Sequence, residues 1–237
     1  MIVIPMAGES RRFREAGYDQ PKYMLPLNGA PVFDHAVGSF ARYFADQPFL
    51  FIAREDGVEF IRSRIAALGI AKANVATLAE PTRGQAETVI LGLDQAPGEG
   101  AITIFNIDTF RPGFAFPDAP WFRDVDGYLE VFRGEGANWS YVRPAPGSDH
   151  LAAETAEKRP ISDLCCTGVY HFARPADFRS AYARELARPQ SHELYVAPLY
   201  NHLIAEGRAV GFEVIRRDEV IFCGVPAEYE ALLAQET

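Results

Sequence analysis

Cysteine is scarce in this chain: three among 237 residues, at positions 165, 166 and 223. None forms a C-x-x-C pair, so the thiols supply neither a redox motif nor a zinc site. Cys165 and Cys166 are adjacent and would face opposite sides of a strand. Buried, reduced thiols in a cytoplasmic protein are the expectation. His35, His150, His171, His192 and His202 include no i, i+4 pair and no zinc spacing. No serine stands in a G-x-S-x-G context, and neither a P-loop nor a G-x-G-x-x-G run occurs. No apolar run reaches the length of a membrane span, and no basic leader precedes the first apolar residues. Positive charge is also short: Lys and Arg total 23 against 32 Asp and Glu, a net charge of −9 with no basic block. A surface of that sign repels a polyanion, which argues against a nucleic-acid polymer as partner. A small phosphorylated ligand survives this test, because a few gathered cations outweigh a negative average locally.

Such a gathering stands at the start. In "MIVIPMAGESRRFREAGYDQPKYMLPL" an apolar run ends in a small-residue turn (Ala7, Gly8, Ser10), and Arg11, Arg12 and Lys22 follow. Small residues let backbone N–H groups approach phosphate oxygens. Arginine adds a forked donor set and lysine a compact charge. A plain strand-to-loop turn with solvated cations remains open on these residues alone.

Strand and helix patterns alternate through the first half. Residues 2–5 read as a strand and 32–44 as a helix; "PFLFIAR" is a strand and "VEFIRSRIAALGI" a helix. "ANVATLA", "GQAETVILGLDQA" and "AITIFNID" continue as strand, helix and strand. This order predicts a doubly wound, mainly parallel sheet with ligands beyond the carboxyl ends of its strands. The turn after Pro5 and the pair Asn106 and Asp108 both fall there. In the second half, "GYLEVFRG" and "ANWSYVRP" are separated by Gly134 and Gly136 and read as antiparallel strands. "CTGVYHF" is a further strand, with helices near 178–187 and 194–204. "VGFEVIRR" and "EVIFCGV" are late strands, and "PAEYEALLAQ" is a closing helix with Pro226 at its start. Without a linker, low-complexity segment or hexapeptide repeat, one domain is expected over 1–237. Its nucleotide-binding half is 1–113 and its acceptor-binding half 114–237.

"MAGESRRF" and "QPKYMLPL" together resemble the N-terminal signature of the sugar-phosphate nucleotidyltransferases: glycine-rich turn, arginine, Pro-Lys, apolar strip. Ala7, Gly8, Arg12, Phe13, Pro21, Lys22, Leu25, Pro26 and Leu27 match in register. Ser10 stands where many members carry a second glycine. The resemblance implies a glycosyltransferase-A-like (Rossmann-like) three-layer α/β fold with a mainly parallel mixed sheet. It implies nucleotide contacts from Ala7, Gly8, Glu9, Ser10 and Arg11, with Arg12 on the phosphates and Lys22 at the reacting phosphorus. "GQAETV" resembles the segment that helps hold the base, through Gly84 and Gln85. "FNIDTF" resembles the strand end that supplies a metal-binding aspartate, here Asp108, and one such carboxylate suits Mg²⁺. "AEKRPISDLCCTGVYHF" and "HELYVAPLYNHLIAEG" resemble the acceptor segments, which maps Glu157, Lys158, Thr167, Gly168, Glu193 and Tyr195 onto the acceptor. "FCGVP" resembles the terminal Gly-Thr-Pro segment with Val225 for threonine and Phe222 where a second metal-binding aspartate is common. Asp218 is the nearest substitute carboxylate. Trp139 either packs in the core or stacks on an acceptor.

The implied enzyme couples an NTP to a small phosphorylated acceptor, a sugar-1-phosphate or similar, and releases pyrophosphate. The segments "NWSYV", "EKRPISDL" and "ELYVAPLYN" look closest to members found with capsule and surface-polysaccharide genes. A glycosyltransferase of the same fold would use an Asp-x-Asp, whereas this strand end reads Asn106-Ile107-Asp108. A non-catalytic regulatory homologue is the other rival, weakened by retention of Lys22, Asp108 and Glu157. A homodimer is compatible with the sequence, and so are other oligomeric states.

Overall fold

The computed structural model describes residues 1–96, 98 and 100–235, so the last two positions of the expected domain lie outside the described residues. Four wholly buried residues, Ile2–Pro5, form strand β1 at the centre of a nine-stranded sheet. The parallel partners of β1 are β4 (Phe49–Arg54) and β6 (Ile102–Phe105), and β5 (Ala73–Leu78) pairs parallel with β4. Two short strands, β2 (Pro26–Leu27) and β3 (Ala30–Pro31), make a hairpin between β1 and β4.

Helices cover both faces. On one side lie α2 (Val32–Gly38) and α3 (Val58–Leu68); on the other lies α4 (Gln85–Gln95). The alternation of β1 decides this layering: Val3 joins one core cluster, while Ile2 and Ile4 join the other. These are the three layers expected from the sequence. The helix expected over 32–44 is shorter. It stops at Gly38, and Ala41–Tyr43 form a separate 3₁₀ turn. Ser39 explains the break, because its hydroxyl donates to His35 O and accepts from the Arg111 N–H.

The second half turns antiparallel. Strand β7 (Thr109–Phe110) follows β6, and β8 (Gly127–Arg133), β9 (Ser140–Pro144), β10 (Ala152–Glu157) and β11 (Leu164–Phe172) come next. Strands β8 and β9 are not neighbours, contrary to the sequence expectation. Both pair antiparallel with β11, and so they run parallel to each other. The sequence reading also lacked β10, whose stretch AAETAE holds few residues of high β-propensity.

Helix α5 (Pro175–Ala187) and a 3₁₀ turn at Ala197–Leu199 precede α6 (Tyr200–Ala205). The helix expected over 194–204 therefore begins late, since Pro198 disfavours helical geometry at the residue before it. Strand β12 (Val210–Ile215) pairs parallel with β8, and β13 (Ile221–Phe222) pairs with β7. The chain closes with α7 (Pro226–Ala234), which has proline in its first turn. Among the described residues no helix is long and apolar enough to cross a membrane. All three cysteines are free and buried.

One polar cluster joins the two halves. Arg111 Nε lies 3.1 Å from both carboxylate oxygens of Glu130, which is 1% exposed. The guanidinium also reaches Glu219, and Thr167 donates to Glu130 at 3.0 Å. Burial pushes the Glu130 carboxyl up, and Arg111 and Thr167 oppose that shift. Removing one partner of a buried pair strands the other charge. Glu130→Leu and Arg111→Met should therefore each destabilise the protein by about 3–5 kcal/mol. Urea unfolding should find the double variant far less destabilised than the sum of the two single changes.

Candidate active site

Three strand ends meet at one edge of the parallel sheet. Chain leaving β1 makes the turn through Ala7 and Gly8 and enters α1 (Arg11–Glu15). Chain leaving β5 reaches Thr82 to Gly84 and enters α4, and chain leaving β6 carries Asn106 and Asp108. Lys22 follows α1 and returns to this edge. Its Nζ lies 2.5 Å from Asp108 Oδ2, so the second half of the opening signature closes on the end of β6.

Ser10 accounts for that return. Its backbone is left-handed, with φ of 51°, which explains why glycine is usual there. Its hydroxyl accepts the Lys22 backbone N–H at 3.1 Å, a bond that glycine lacks. Asp108 is held from the other side: its carbonyl accepts from Cys223 N at 2.8 Å, linking it to the β13 end. Burial, with Asp108 next, pushes the Cys223 thiol up to about 12, so that thiol stays protonated.

Lys22 and Asp108 line a recess of about 190 Å³, and two larger clefts share Gln85 with it. One, of about 660 Å³, is bounded by Ala7, Gly8, Glu9, Arg11, Thr82 and Arg83, together with Gly84 and Gln85. All the residues expected at the nucleotide except Ser10 line it. Thr82 and Arg83 escaped the sequence reading, although they directly precede the "GQAETV" segment. Gly84 packs tightly: a Cβ there would lie 2.6 Å from the Leu194 backbone. Arg11 lines this cleft but stays 78% exposed, and the Glu9 carboxylate lies 3.9 Å away.

The other cleft, of about 460 Å³, is bounded by Asp108, Trp139, Glu157, Thr167, Glu193 and Tyr195, among others. Arg12, Gln85 and Glu193 belong to both clefts. Gln85 Nε2 donates to Asn106 Oδ1 at 2.6 Å, which fixes the wall between them. Gly168 has φ of 106°, and a Cβ there would lie 2.8 Å from the Asn106 amide nitrogen. It shapes the bulge that carries Thr167 and does not line either cleft. Thr167 does line this second cleft, but its hydroxyl is engaged by Glu130.

Glu157 lines the same wall and accepts the Ser140 hydroxyl. Burial raises its carboxyl most; Ser140 and Lys158 lower it, and Glu193 raises it further. Lys158 has a left-handed backbone and donates to Tyr195 Oη at 2.6 Å. Burial and then the Glu193 carboxylate keep that phenol protonated far above its ordinary range. Trp139 packs edge-on against Phe132 and also lines the cleft.

The carboxylate set suits a hard cation held mostly by phosphates and water. Asp108 stands at the strand end, and no group of three His, Cys, Asp or Glu among the described residues could hold a metal by itself. Asp218 is not the substitute ligand: it lies on a 3₁₀ turn, 74% exposed, paired with Arg216 at 3.0 Å. His171 is half-buried beside Thr103, and desolvation pushes its pKa down to about 4, so it stays neutral and structural.

The chain matches no protein-family model and no curated protein. Among solved structures it is similar to a nucleoside-diphosphate-sugar pyrophosphorylase from Vibrio cholerae RC9. The identity is 53% over 99% of this chain and 100% of that one, with a TM-score of 0.94. An inositol-1-phosphate CTP transferase from T. maritima shares the fold at 14% identity and a TM-score of 0.76, covering 99% and 94% of the two chains. A UDP-glucose pyrophosphorylase complexed with UDP-glucose does so at 13% and 0.77, covering 99% and 97%.

Ser10 separates backbone strain from hydrogen bonding. Ser10→Ala should keep the strain and lose the bond to Lys22, costing about 1 kcal/mol in thermal or urea unfolding. Ser10→Gly loses the same bond but relieves a left-handed penalty of roughly 1–2 kcal/mol. Its stability should stay within about 1 kcal/mol of wild type.

Proposed function

This chain belongs to the sugar-phosphate nucleotidyltransferases, and from that premise we propose that it transfers a nucleotidyl group from an NTP to a small phosphorylated acceptor. The observation that carries the reading is the Lys22–Asp108 pair, in a recess that shares Gln85 with two clefts, both of which Arg12 lines. The triphosphate occupies the cleft beside Ala7, Gly8 and Gln85. The acceptor enters the cleft beside Glu157, Lys158, Glu193 and Tyr195. One domain does both, with residues 1–113 serving the nucleotide and 114–237 the acceptor.

An acceptor phosphate oxygen attacks the α-phosphorus and forms a new P–O bond. The bond from that phosphorus to the bridging oxygen breaks, and pyrophosphate leaves with the electron pair. Little general-base help is needed, because a phosphomonoester with a second pKa near ~6 is mostly dianionic at neutral pH. The barrier is repulsion between two anions, so the work is positioning and charge compensation. Lys22 lies where it offsets charge at the reacting phosphorus, and Arg12, on both clefts, faces the phosphates of both substrates. Asp108 would hold Mg²⁺, which supplies further charge neutralisation when bound. Gly84 and Gln85 lie at the base end, beside Thr82 and Arg83.

The acceptor is a sugar-1-phosphate or another small phosphomonoester, and the product feeds capsule or surface-polysaccharide synthesis in the cytoplasm. A glycosyltransferase would need a second acidic ligand, and Asn106 stands in that place with its amide engaged by Gln85.

Incubating the protein with Mg²⁺, each NTP in turn and a panel of phosphorylated acceptors should release pyrophosphate with at least one pair. Lys22→Ala should lower kcat/KM by on the order of a hundredfold or more. Wild-type protein inert across the whole panel would overturn the enzymatic reading.

A further inference from the structure

The acceptor cleft carries more negative charge than a phosphorylated sugar can answer. Glu135, Glu157, Glu193 and Glu228 line it against Arg12, while Asp108 on the same lining is answered by Lys22. Elsewhere in the fold, partly buried carboxylates meet a guanidinium: Glu87 with Arg83, Glu130 with Arg111, Glu154 with Arg143 and Arg159. In the cleft, Glu135, Glu157 and Glu228 form no ion pair among the described residues, and Glu193 has only His192 at 3.5 Å. Lys158 offsets Glu157 in part, but its Nζ is held on Tyr195 Oη and makes no ion pair with the glutamates of the cleft among the described residues. Glu228 spends one oxygen on the backbone N–H groups of Gly224 and Val225.

The same wall has an aromatic corner. Trp139 and Phe222 line the cleft with ring centroids 4.5 Å apart and planes inclined by 55°. The corner is rigidly backed: Phe132 packs against both rings, and the Trp139 indole N–H donates to Glu135 O. Phe222 already serves as a cation platform on the protein's own behalf, with the Arg217 guanidinium 5.0 Å from its ring centre. Strand β13 pairs Phe222 with Thr109, next to Asp108, so the corner adjoins the reacting end.

Carboxylates without a lysine or arginine ion pair beside an indole and a phenyl ring match the chemistry of an ammonium group. A hexose would satisfy their hydrogen bonds and leave their charge standing. A cation on the acceptor's far end would answer both the charge and the ring faces, while its phosphate faces Lys22 and Arg12. Resting on the nucleotidyl-transfer reading above, we propose that the acceptor is a small phosphomonoester bearing an ammonium group, seated against Trp139, Phe222 and the unpaired glutamates.

Two acceptors with ammonium groups, phosphocholine and phosphoethanolamine, are compared with glucose 1-phosphate and inositol 1-phosphate, using each NTP and Mg²⁺. Pyrophosphate release should favour an ammonium acceptor by about tenfold or more in kcat/KM, and Trp139→Leu should raise its KM by about tenfold. Calorimetry on the wild-type protein, independent of any variant's folding, should show phosphocholine or phosphoethanolamine binding more tightly than glucose 1-phosphate. Turnover of the neutral sugar or inositol phosphates without the ammonium acceptors would overturn this inference and leave nucleotidyl transfer standing. Pyrophosphate release with no acceptor at all would overturn both.

Discussion

The site depends on one ion pair that spans the first half of the sheet. Lys22 arrives from the loop after β1, Asp108 from the end of β6, and their side chains meet at 2.5 Å. Both are about a quarter exposed or less, so the charges are held near each other without complete desolvation. That balance suits a site which must accept highly charged substrates, since a deeply buried pair would resist opening. The loop reaches this position through Ser10, whose hydroxyl fixes the Lys22 backbone, and the strand end through Cys223, whose N–H fixes the Asp108 carbonyl.

Everything on the acceptor side is arranged around the same pair by longer connections. The segment 106–111 is tied at Asn106 by Gln85, at Asp108 by Lys22, along β7 by β13, and at Arg111 by Glu130 and Ser39. Glu130 in turn orients Thr167 on the lining of the 460 Å³ cleft. A change in the buried cluster would therefore reach the site through β7. Lys22, Asp108 and Arg111 are successive anchors of one short path from core to cleft.

Lys22, Asp108 and the turn at Gly8 could be read from the sequence because each sits in a short, ordered motif at the end of an apolar strand. Glu157, Lys158, Glu193 and Tyr195 were named from the resemblance; Glu157, Glu193 and Tyr195 line one cleft, and Lys158 reaches it through its bond to Tyr195. Long-range geometry was not legible. Strand β11 comes between β8 and β9 although it follows both in the chain, and no local periodicity records such an insertion. Arg111 and Glu130 stand 19 residues apart, and no local pattern marks them as a pair. Asp218 looked like a substitute ligand by its nearness in sequence, but the 3₁₀ turn carries it into solvent. Ser10 looked like a departure from a glycine pattern, and only its φ angle and its bond to Lys22 explain how serine serves there.

The central claim is that the Lys22–Asp108 pair serves attack at the α-phosphorus of a triphosphate. Phosphorus-31 NMR of a reaction held with NTP, Mg²⁺ and a phosphorylated acceptor observes the bonds directly. The expected spectrum gains free pyrophosphate together with two mutually coupled resonances from a new diphosphate bridge. Growth of nucleoside diphosphate or orthophosphate, without that coupled pair, would place the chemistry at the γ-phosphorus or in hydrolysis and contradict the assignment.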